Sequence, residues 1–218
     1  MDNNNRAVYV LGGLGVNQRV FENVDFGNFK PIFIQWIPPD NDESIEHYAK
    51  RLSLQIKDEN PIIIGLSFGG MMAIEIAKLI KIDKLILLAS AKTRAELPIY
   101  YSAFGRLNKT NFFPTKLMKQ NNFITSWFFG IKTENLKKFL TQILKDTDSA
   151  LLKWSLTKIS NWQNDFVPEN VVHIHGSADR ILPIKYIKAD KIIKDAGHFM
   201  TMTHSTQIST YLMEIIEH

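Results

Sequence analysis

Short apolar stretches recur along the chain and alternate with segments of helical periodicity. The stretches predict six strands, at residues 7–11, 31–36, 61–66, 84–90, 171–176 and 189–194. Nearly continuous apolar strands that alternate with helices are typical of a parallel sheet that is covered on both faces. We therefore predict an α/β fold with a mostly parallel sheet of about six strands flanked by helices.

Two helices follow from apolar stripes at helical spacing. A helix is expected to start near Asp42, a plausible cap, and its stripe comprises Ile45, Tyr48, Ala49, Leu52 and Ile56. The closing helix carries its stripe at Ile208, Tyr211, Leu212 and Ile215. A third helix, from residue 71, is apolar nearly all round, as expected for a helix that is covered on both sides.

The middle of the chain breaks this alternation. Residues 93–169 predict several helices in succession, around residues 97–107, 136–144 and 150–162. We interpret this helical insert, residues 93–169, as a lid over a core formed by residues 1–92 and 170–218. The alternative is that its helices belong to the core, in which case its aromatic residues are packing.

Composition narrows the class of protein. A chain of 218 residues suits one domain, and the absence of cysteine excludes disulfides, thiolate metal sites and a cysteine nucleophile. We expect no signal peptide and no membrane span, because no apolar run approaches about 20 residues. A cytoplasmic location is the expectation. The net charge of +4 is scattered, and no basic patch indicates nucleic-acid binding.

The most informative segment is Gly65-Leu66-Ser67-Phe68-Gly69, which lies between a buried strand and a helix. This G-x-S-x-G pattern predicts a nucleophile elbow, in which a tight turn lifts the serine out of the fold. Glycines on either side let such a strained turn close without a clash. Ser67 is therefore the candidate nucleophile.

A serine nucleophile needs a base, and His198 is the candidate among six histidines. It stands in a loop between the last strand and the last helix, and loops at the carboxyl ends of parallel strands carry the chemistry of such sheets. The other histidines are interpreted as surface or terminal residues (His47, His204 and His218) or as partly packed residues of one strand (His173 and His175).

The base in turn needs an orienting carboxylate, for which Asp179 is preferred. It lies just past the strand at residues 171–176, and the chain order serine, aspartate, histidine then fits. Glu96, after the fourth strand, is the competing acid. Asp146 and Asp148 are expected to cap helices of the insert.

The oxyanion that forms at the reacting carbonyl needs two backbone N–H groups. One is expected from Phe68, in the first turn of a helix. The other is expected from the loop Gly12-Gly13-Leu14-Gly15, at Gly13 or Leu14. The alternative is that this loop is a plain tight turn; it lacks the G-x-G-x-x-G spacing of dinucleotide-binding loops.

Three stretches are specific to one known family: Gly65 to Gly70, His175-Gly176-Ser177-Ala178-Asp179-Arg180-Ile181-Leu182-Pro183 and the pair Gly197-His198. Through them the chain resembles the α/β-hydrolase superfamily, and the resemblance covers essentially its whole length. The resemblance implies a serine–acid–histidine hydrolase with no metal and no organic cofactor. Two departures stand out: Leu11-Gly12 replaces the frequent His-Gly of the oxyanion loop, and the usual leading antiparallel hairpin is expected to be absent.

The preferred hypothesis is hydrolysis of a small-molecule carboxylic ester or thioester through an acyl-enzyme. Carbon–carbon bond hydrolases and acyltransferases use the same three residues and stay open. Two alternatives belong to other classes: a metal site at His173, His175 and Asp179, and a binding protein that keeps the fold without chemistry. No oligomeric state is predicted.

Overall fold

The fold is built on a six-stranded, entirely parallel sheet in the order β2-β1-β3-β4-β5-β6. The computed structural model describes residues 6–14, 16, 18–101 and 123–217. The strands are β1 (Val8–Leu11), β2 (Pro31–Phe33), β3 (Ile62–Leu66), β4 (Lys84–Leu88), β5 (Val171–Gly176) and β6 (Lys191–Ile193). The predicted fold class is thereby confirmed.

Helices pack on both faces of this sheet. The α-helices of the described residues are α1 (Ile45–Ser53), α2 (Phe68–Ala77), α3 (Phe123–Phe129), α4 (Glu134–Asp146), α5 (Ser149–Asn161), α6 (Met200–Thr203) and α7 (Ser205–Glu217). Three of them, α3 to α5, belong to the helical insert between β4 and β5. Among all the described residues, no helix is long and apolar enough to cross a membrane.

Alternate residues of each central strand enter two separate apolar clusters, one on each face of the sheet. In β1, Val8 and Val10 face the cluster that includes α4 and α7, whereas Tyr9 and Leu11 face the cluster that includes α1, α2 and α5. Because both faces are covered, the central strands β1 and β3 are buried along their whole length, as their apolar sequence pattern indicated.

The fourth strand ends at Leu88 and not at residue 90, and two other predicted boundaries are wrong for an identifiable local reason. β2 ends at Phe33 and not at residue 36, because the backbone N–H and C=O of Gln35 bond the side chain of Gln55 at 2.9 Å each and not a strand. Helix α1 is capped by Ser44, whose side chain accepts from the N–H of His47, and not by Asp42.

The insert contains the two later helices expected of it, whereas most of the helix expected at residues 97–107 lies outside the described residues. Asp148 caps α5 by accepting from the N–H of Leu151, as expected. Asp146 instead ends α4 and pairs with Arg19, so its expected capping role is wrong. Trp154 is partly buried and packs against the core, with its ring centroid 4.3 Å from that of Tyr48.

Candidate active site

The three polar side chains of the candidate site and the loop beside them follow four different strands at one edge of the sheet. Ser67 follows β3, Asp179 follows β5 and His198 follows β6, while the loop of Gly13 follows β1. Since parallel strands place their carboxyl ends together, residues that are far apart in sequence meet at this edge. This edge faces the helical insert.

Ser67 stands in a strained turn between β3 and α2. Its φ of 53° and ψ of −122° lie in a region that residues with a side chain rarely adopt. Neighbouring groups hold it there: its N–H donates to the carbonyl of Leu88 at 2.8 Å, and its carbonyl accepts from the N–H of Gly70 at 2.9 Å and from the Ser90 hydroxyl at 2.7 Å. Ser90 is a supporting residue that the motif does not indicate.

The glycines of the motif are required by close backbone contacts. A Cβ on Gly65 would lie 2.4 Å from the Cα of Gly70, and one on Gly69 would lie 2.1 Å from the carbonyl oxygen of Gly12. These distances leave no room for a side chain. The start of α2 therefore lies directly against β3 and the end of β1, which brings the Ser67 turn beside the loop after β1.

The structure brings Ser67, His198 and Asp179 into one chain of hydrogen bonds. His198 Nε2 lies 2.9 Å from Ser67 Oγ, and His198 Nδ1 lies 2.7 Å from Asp179 Oδ2. A carboxylate on Nδ1 favours the tautomer with its proton there, which leaves Nε2 free to accept the serine proton. The three predicted residues thus have the geometry that serine activation needs.

Asp179 is buried, and four N–H donors surround its carboxylate. Burial by itself would raise the pKa of this carboxyl, but the nearby His198 and His175 rings and the N–H of Leu182 outweigh burial and hold the pKa below its ordinary value. Its Oδ1 accepts from the N–H groups of Ile181 at 2.8 Å and Leu182 at 2.9 Å. The group is therefore ionised at neutral pH.

The competing acid, Glu96, is bonded elsewhere. Its buried carboxylate accepts from the backbone N–H of Lys92 at 2.6 Å and of Lys188 at 3.1 Å. It ties the loop after β4 to the segment before β6, and His198 takes Asp179 as its partner. Glu96 is thus placed as a structural residue.

Two of the remaining five histidines, His47 and His204, lie where the sequence suggested. His47 is exposed on α1 beside Glu43, and His204 bonds the hydroxyl of Thr203 between α6 and α7. His218 lies outside the described residues. His173 and His175, expected to be partly packed, are completely buried.

The oxyanion donors expected from the sequence border the serine. Phe68 is the first residue of α2, where backbone N–H groups have no partner in a preceding turn. Gly13 is so near that a Cβ on it would lie 3.5 Å from the Ser67 Cβ, and Leu14 lines the same cavity as Ser67. Gly15 lies outside the described residues.

A cavity of about 350 Å³ opens over Ser67, between the edge of the sheet and the insert. In the described part of its lining, no side chain is that of lysine, arginine, aspartate or glutamate; the side chains that carry a polar group are those of Ser67, Tyr101, Thr125, Thr147 and His198. Leucine, isoleucine, valine, methionine and phenylalanine supply nearly all the rest. The cavity suits an uncharged, apolar group.

The insert also contacts the loops of the acid and the base, which sequence patterns did not indicate. Gly130, with a φ of 73°, approaches Gly197 so closely that a Cβ on either would lie 3.0 to 3.1 Å from the other's Cα. Arg180, next to the acid, stacks on the Trp127 ring at 4.3 Å and donates to its carbonyl. The isolated glycines at 130 and 197 are the signal that could have predicted this contact.

Both ring nitrogens of His175, the central residue of the metal hypothesis, are engaged in other hydrogen bonds. His175 Nδ1 faces His173 Nε2 at 3.2 Å, and its Nε2 faces the Leu182 carbonyl at 2.8 Å. Among the described residues, the group whose donor atoms do converge is Asp40, Glu43 and His47 on the surface. There Arg51 already bonds both carboxylates.

Three features define the architecture: a parallel sheet that is covered on both faces, a strained serine turn after β3 and a helical insert after β4. No family model matches the sequence, and no curated protein matches it. Solved structures do match the fold. MenH from S. aureus has a TM-score of 0.74 at 17% identity, over 100% of this chain and 95% of its own.

Two further structures agree over nearly the full length. A bromoperoxidase from Bacillus anthracis has a TM-score of 0.69 and an esterase from Exiguobacterium antarcticum one of 0.68; each is 16% identical and covers 98% of this chain and 92% of its own. The chain therefore has the α/β-hydrolase fold, as its motifs predicted.

Proposed function

We propose that the protein is a serine hydrolase that cleaves a carboxylic ester or thioester with an uncharged acyl group. The observation that carries the proposal is the pair of distances at His198, 2.9 Å to Ser67 Oγ and 2.7 Å to Asp179 Oδ2. A nucleophile, a base and an orienting acid in hydrogen-bond contact are the parts that acyl transfer requires.

In the proposed mechanism, Ser67 Oγ attacks the substrate carbonyl while His198 Nε2 takes its proton. The N–H of Phe68 and one N–H of the loop at Gly13 and Leu14 bind the oxyanion. His198 then passes the proton to the leaving oxygen or sulfur as that bond breaks. Water then attacks the acyl-enzyme carbonyl and gives a proton to His198. As the bond between the acyl carbon and Ser67 Oγ breaks, His198 returns that proton to Oγ, which releases the acid and restores Ser67 and neutral His198. Asp179 keeps the imidazole oriented and stabilises its charged form.

The cavity supports the restriction to uncharged acyl groups. A charged group placed against its described lining would lose water without gaining a partner of opposite charge, which costs several kcal/mol. An apolar acyl chain loses nothing there and gains about 0.8 kcal/mol for each buried methylene. Aliphatic esters should thus be preferred to esters of dicarboxylic acids.

The test uses a fluorophosphonate probe, which reports an activated serine without requiring the natural substrate. We expect the probe to label Ser67, and Ser67→Ala to lose labelling and to lower turnover roughly 10⁴–10⁶-fold. Ser53→Ala, at the end of α1, is the matched control and should label like wild type. A folded wild-type protein that never labels contradicts the proposal.

A panel of p-nitrophenyl esters and acyl-CoA thioesters of increasing chain length then shows which kind of bond is cleaved. Run on wild type and Ser67→Ala, it separates enzymatic from background hydrolysis. Ester turnover without thioester turnover assigns an esterase, and the reverse assigns a thioesterase.

A further inference from the structure

Two fully buried histidines stand directly behind the candidate acid, and the mechanism above does not use them. His173 and His175 alternate along β5 and point to the same face, with ring centroids 5.1 Å apart. Buried imidazole rings usually have hydrogen-bond partners within the protein, because burial removes their polar nitrogens from water.

The bonds of His175 define which of its nitrogens carries the proton. Its Nε2 lies 2.8 Å from the carbonyl oxygen of Leu182, and a carbonyl can only accept, so Nε2 must donate. The Nδ1 of this neutral ring then accepts from His173 Nε2 at 3.2 Å. Burial keeps the pKa of both rings below the ordinary value, consistent with neutral rings.

The Nε2–H group of His175 holds the loop that carries Asp179. Leu182 accepts from His175 through its carbonyl and donates through its N–H to Asp179 Oδ1 at 2.9 Å. His175 Nε2 also lies 3.5 Å from Asp179 Oδ2, the oxygen that faces His198. One N–H therefore contacts both the carboxylate and the backbone that orients it.

We propose that His175 is a positioning residue, which holds Asp179 so that Oδ2 stays within hydrogen-bond distance of His198 Nδ1. It touches no reacting atom and transfers no proton. Without its N–H, the carbonyl of Leu182 loses a buried donor, and the loop from Asp179 to Leu182 is free to rotate the carboxylate. The inference rests on the proposed function, since the His198–Asp179 pair matters for catalysis only there.

Substitutions that differ in their donor test this role. His175→Gln keeps an N–H where Nε2 stands, because a glutamine amide nitrogen reaches the same distance as that ring nitrogen. His175→Met fills the volume without a donor, and His175→Asn is a polar variant too short to reach Leu182. His173→Met is the matched control, because it removes a buried ring from the same strand and leaves the bond from His175 to Leu182 in place.

Two readouts are needed on each variant, taken at temperatures at which thermal unfolding shows the variant to be folded. The first is the far-downfield proton NMR signal of the hydrogen bond between His198 Nδ1 and Asp179. The second is the rate of fluorophosphonate labelling at Ser67. We expect His175→Met and His175→Asn to lose the signal and to label about tenfold more slowly, as for one lost hydrogen bond.

His175→Gln should keep the signal and label within about threefold of wild type, and so should His173→Met. On an ester substrate, the loss in His175→Met should fall on kcat with KM nearly unchanged. Equal effects of Gln and Met, or a signal that survives in both Met and Asn, would overturn the inference. If no variant or wild type labels but the signal follows the donor, the positioning role stands and the proposed function fails.

Discussion

The serine turn and the helical insert face each other across the cavity, yet they are built under different constraints. Around Ser67 the backbones of three segments touch, and a Cβ on Gly65 or Gly69 would lie within 2.4 Å of another backbone atom. The insert meets the cavity with apolar side chains such as Leu140, Ile143 and Leu152.

This difference separates the two tasks of the site. The turn places a reacting atom, and a displacement of about 1 Å is costly for chemistry. The insert sets the volume and polarity available to the substrate, and apolar side chains of similar size exchange there at small cost. Chemistry should therefore depend on backbone contacts at the turn, and selectivity on side-chain volume in the insert.

The largest effect on stability is expected from Gly69→Ala, which tests the tightness of the turn. Alanine in a helix is normally about 1 kcal/mol better than glycine, but here its Cβ would lie 2.1 Å from the carbonyl oxygen of Gly12. We expect a loss of about 3 kcal/mol or more in the free energy of unfolding, measured with urea.

Gly13→Ala is the matched control for that measurement. Its Cβ would meet the side chain of Val16 at 3.3 Å, which can shift, so the change should stay within about 1 kcal/mol. Equal stability of Gly69→Ala and wild type would show that the turn can accommodate a side chain, and it would contradict the view that the turn is more tightly constrained than the insert.

A smaller effect is expected from Leu140→Ala in α4, which tests the tolerance of the insert. Leu140 is buried but borders the cavity, so its truncation should cost about 2 kcal/mol, at the low end for leucine. Given the proposed function, the preference among esters should also move to longer acyl chains, by about fourfold for each additional buried methylene.

Leu140→Met, which conserves volume, should cost less than about 1.5 kcal/mol and leave the chain-length preference in place. A cost for Leu140→Ala equal to that of Gly69→Ala would mean that the insert is packed as tightly as the turn. Urea unfolding of the three variants in parallel decides the matter.

The smallest effect, roughly 1 kcal/mol for each pH unit, concerns the loss of folding stability in acid, which should come from the core and not from the insert. All six histidines lie outside residues 93–169, and burial holds the pKa of His173 and His175 below the ordinary value of about 6.5. Below that pH the unfolded chain binds protons that the folded chain does not. Stability is therefore full above about pH 6.5 and is lost as the pH falls.

Urea unfolding between pH 5 and 8 should show this loss, which approaches roughly 1 kcal/mol per pH unit for His173, whose pKa burial holds well below the ordinary value. His175 adds to the loss in the same direction, because burial also lowers its pKa. His173→Met should flatten the slope by about one proton. Asp179 does not contribute in this window, because its lowered pKa confines its effect to pH below about 4. An identical slope in wild type and His173→Met would assign the acid sensitivity to other groups.

Much of the fold was predictable because its evidence is local. Apolar strands and amphipathic helices report burial through their periodicity, and all six strands were predicted within a few residues. Ser67, Asp179 and His198 could be named because parallel strands place their carboxyl ends at one edge, whatever separates them in sequence. Asp179 was already preferred to Glu96 because of its place after the strand at residues 171–176 and the chain order, and the structure pairs it with His198.

The sequence alone therefore determined the class of fold and the residue types available at the edge of the sheet. Only the tertiary structure decided how these residues are supported: Ser90 on the Ser67 carbonyl, His175 behind Asp179, Gly130 against Gly197. The residues joined by these contacts lie between 4 and 67 positions apart in the sequence. Periodicity records which face of an element is buried, but it does not record which atom of another element that face will meet.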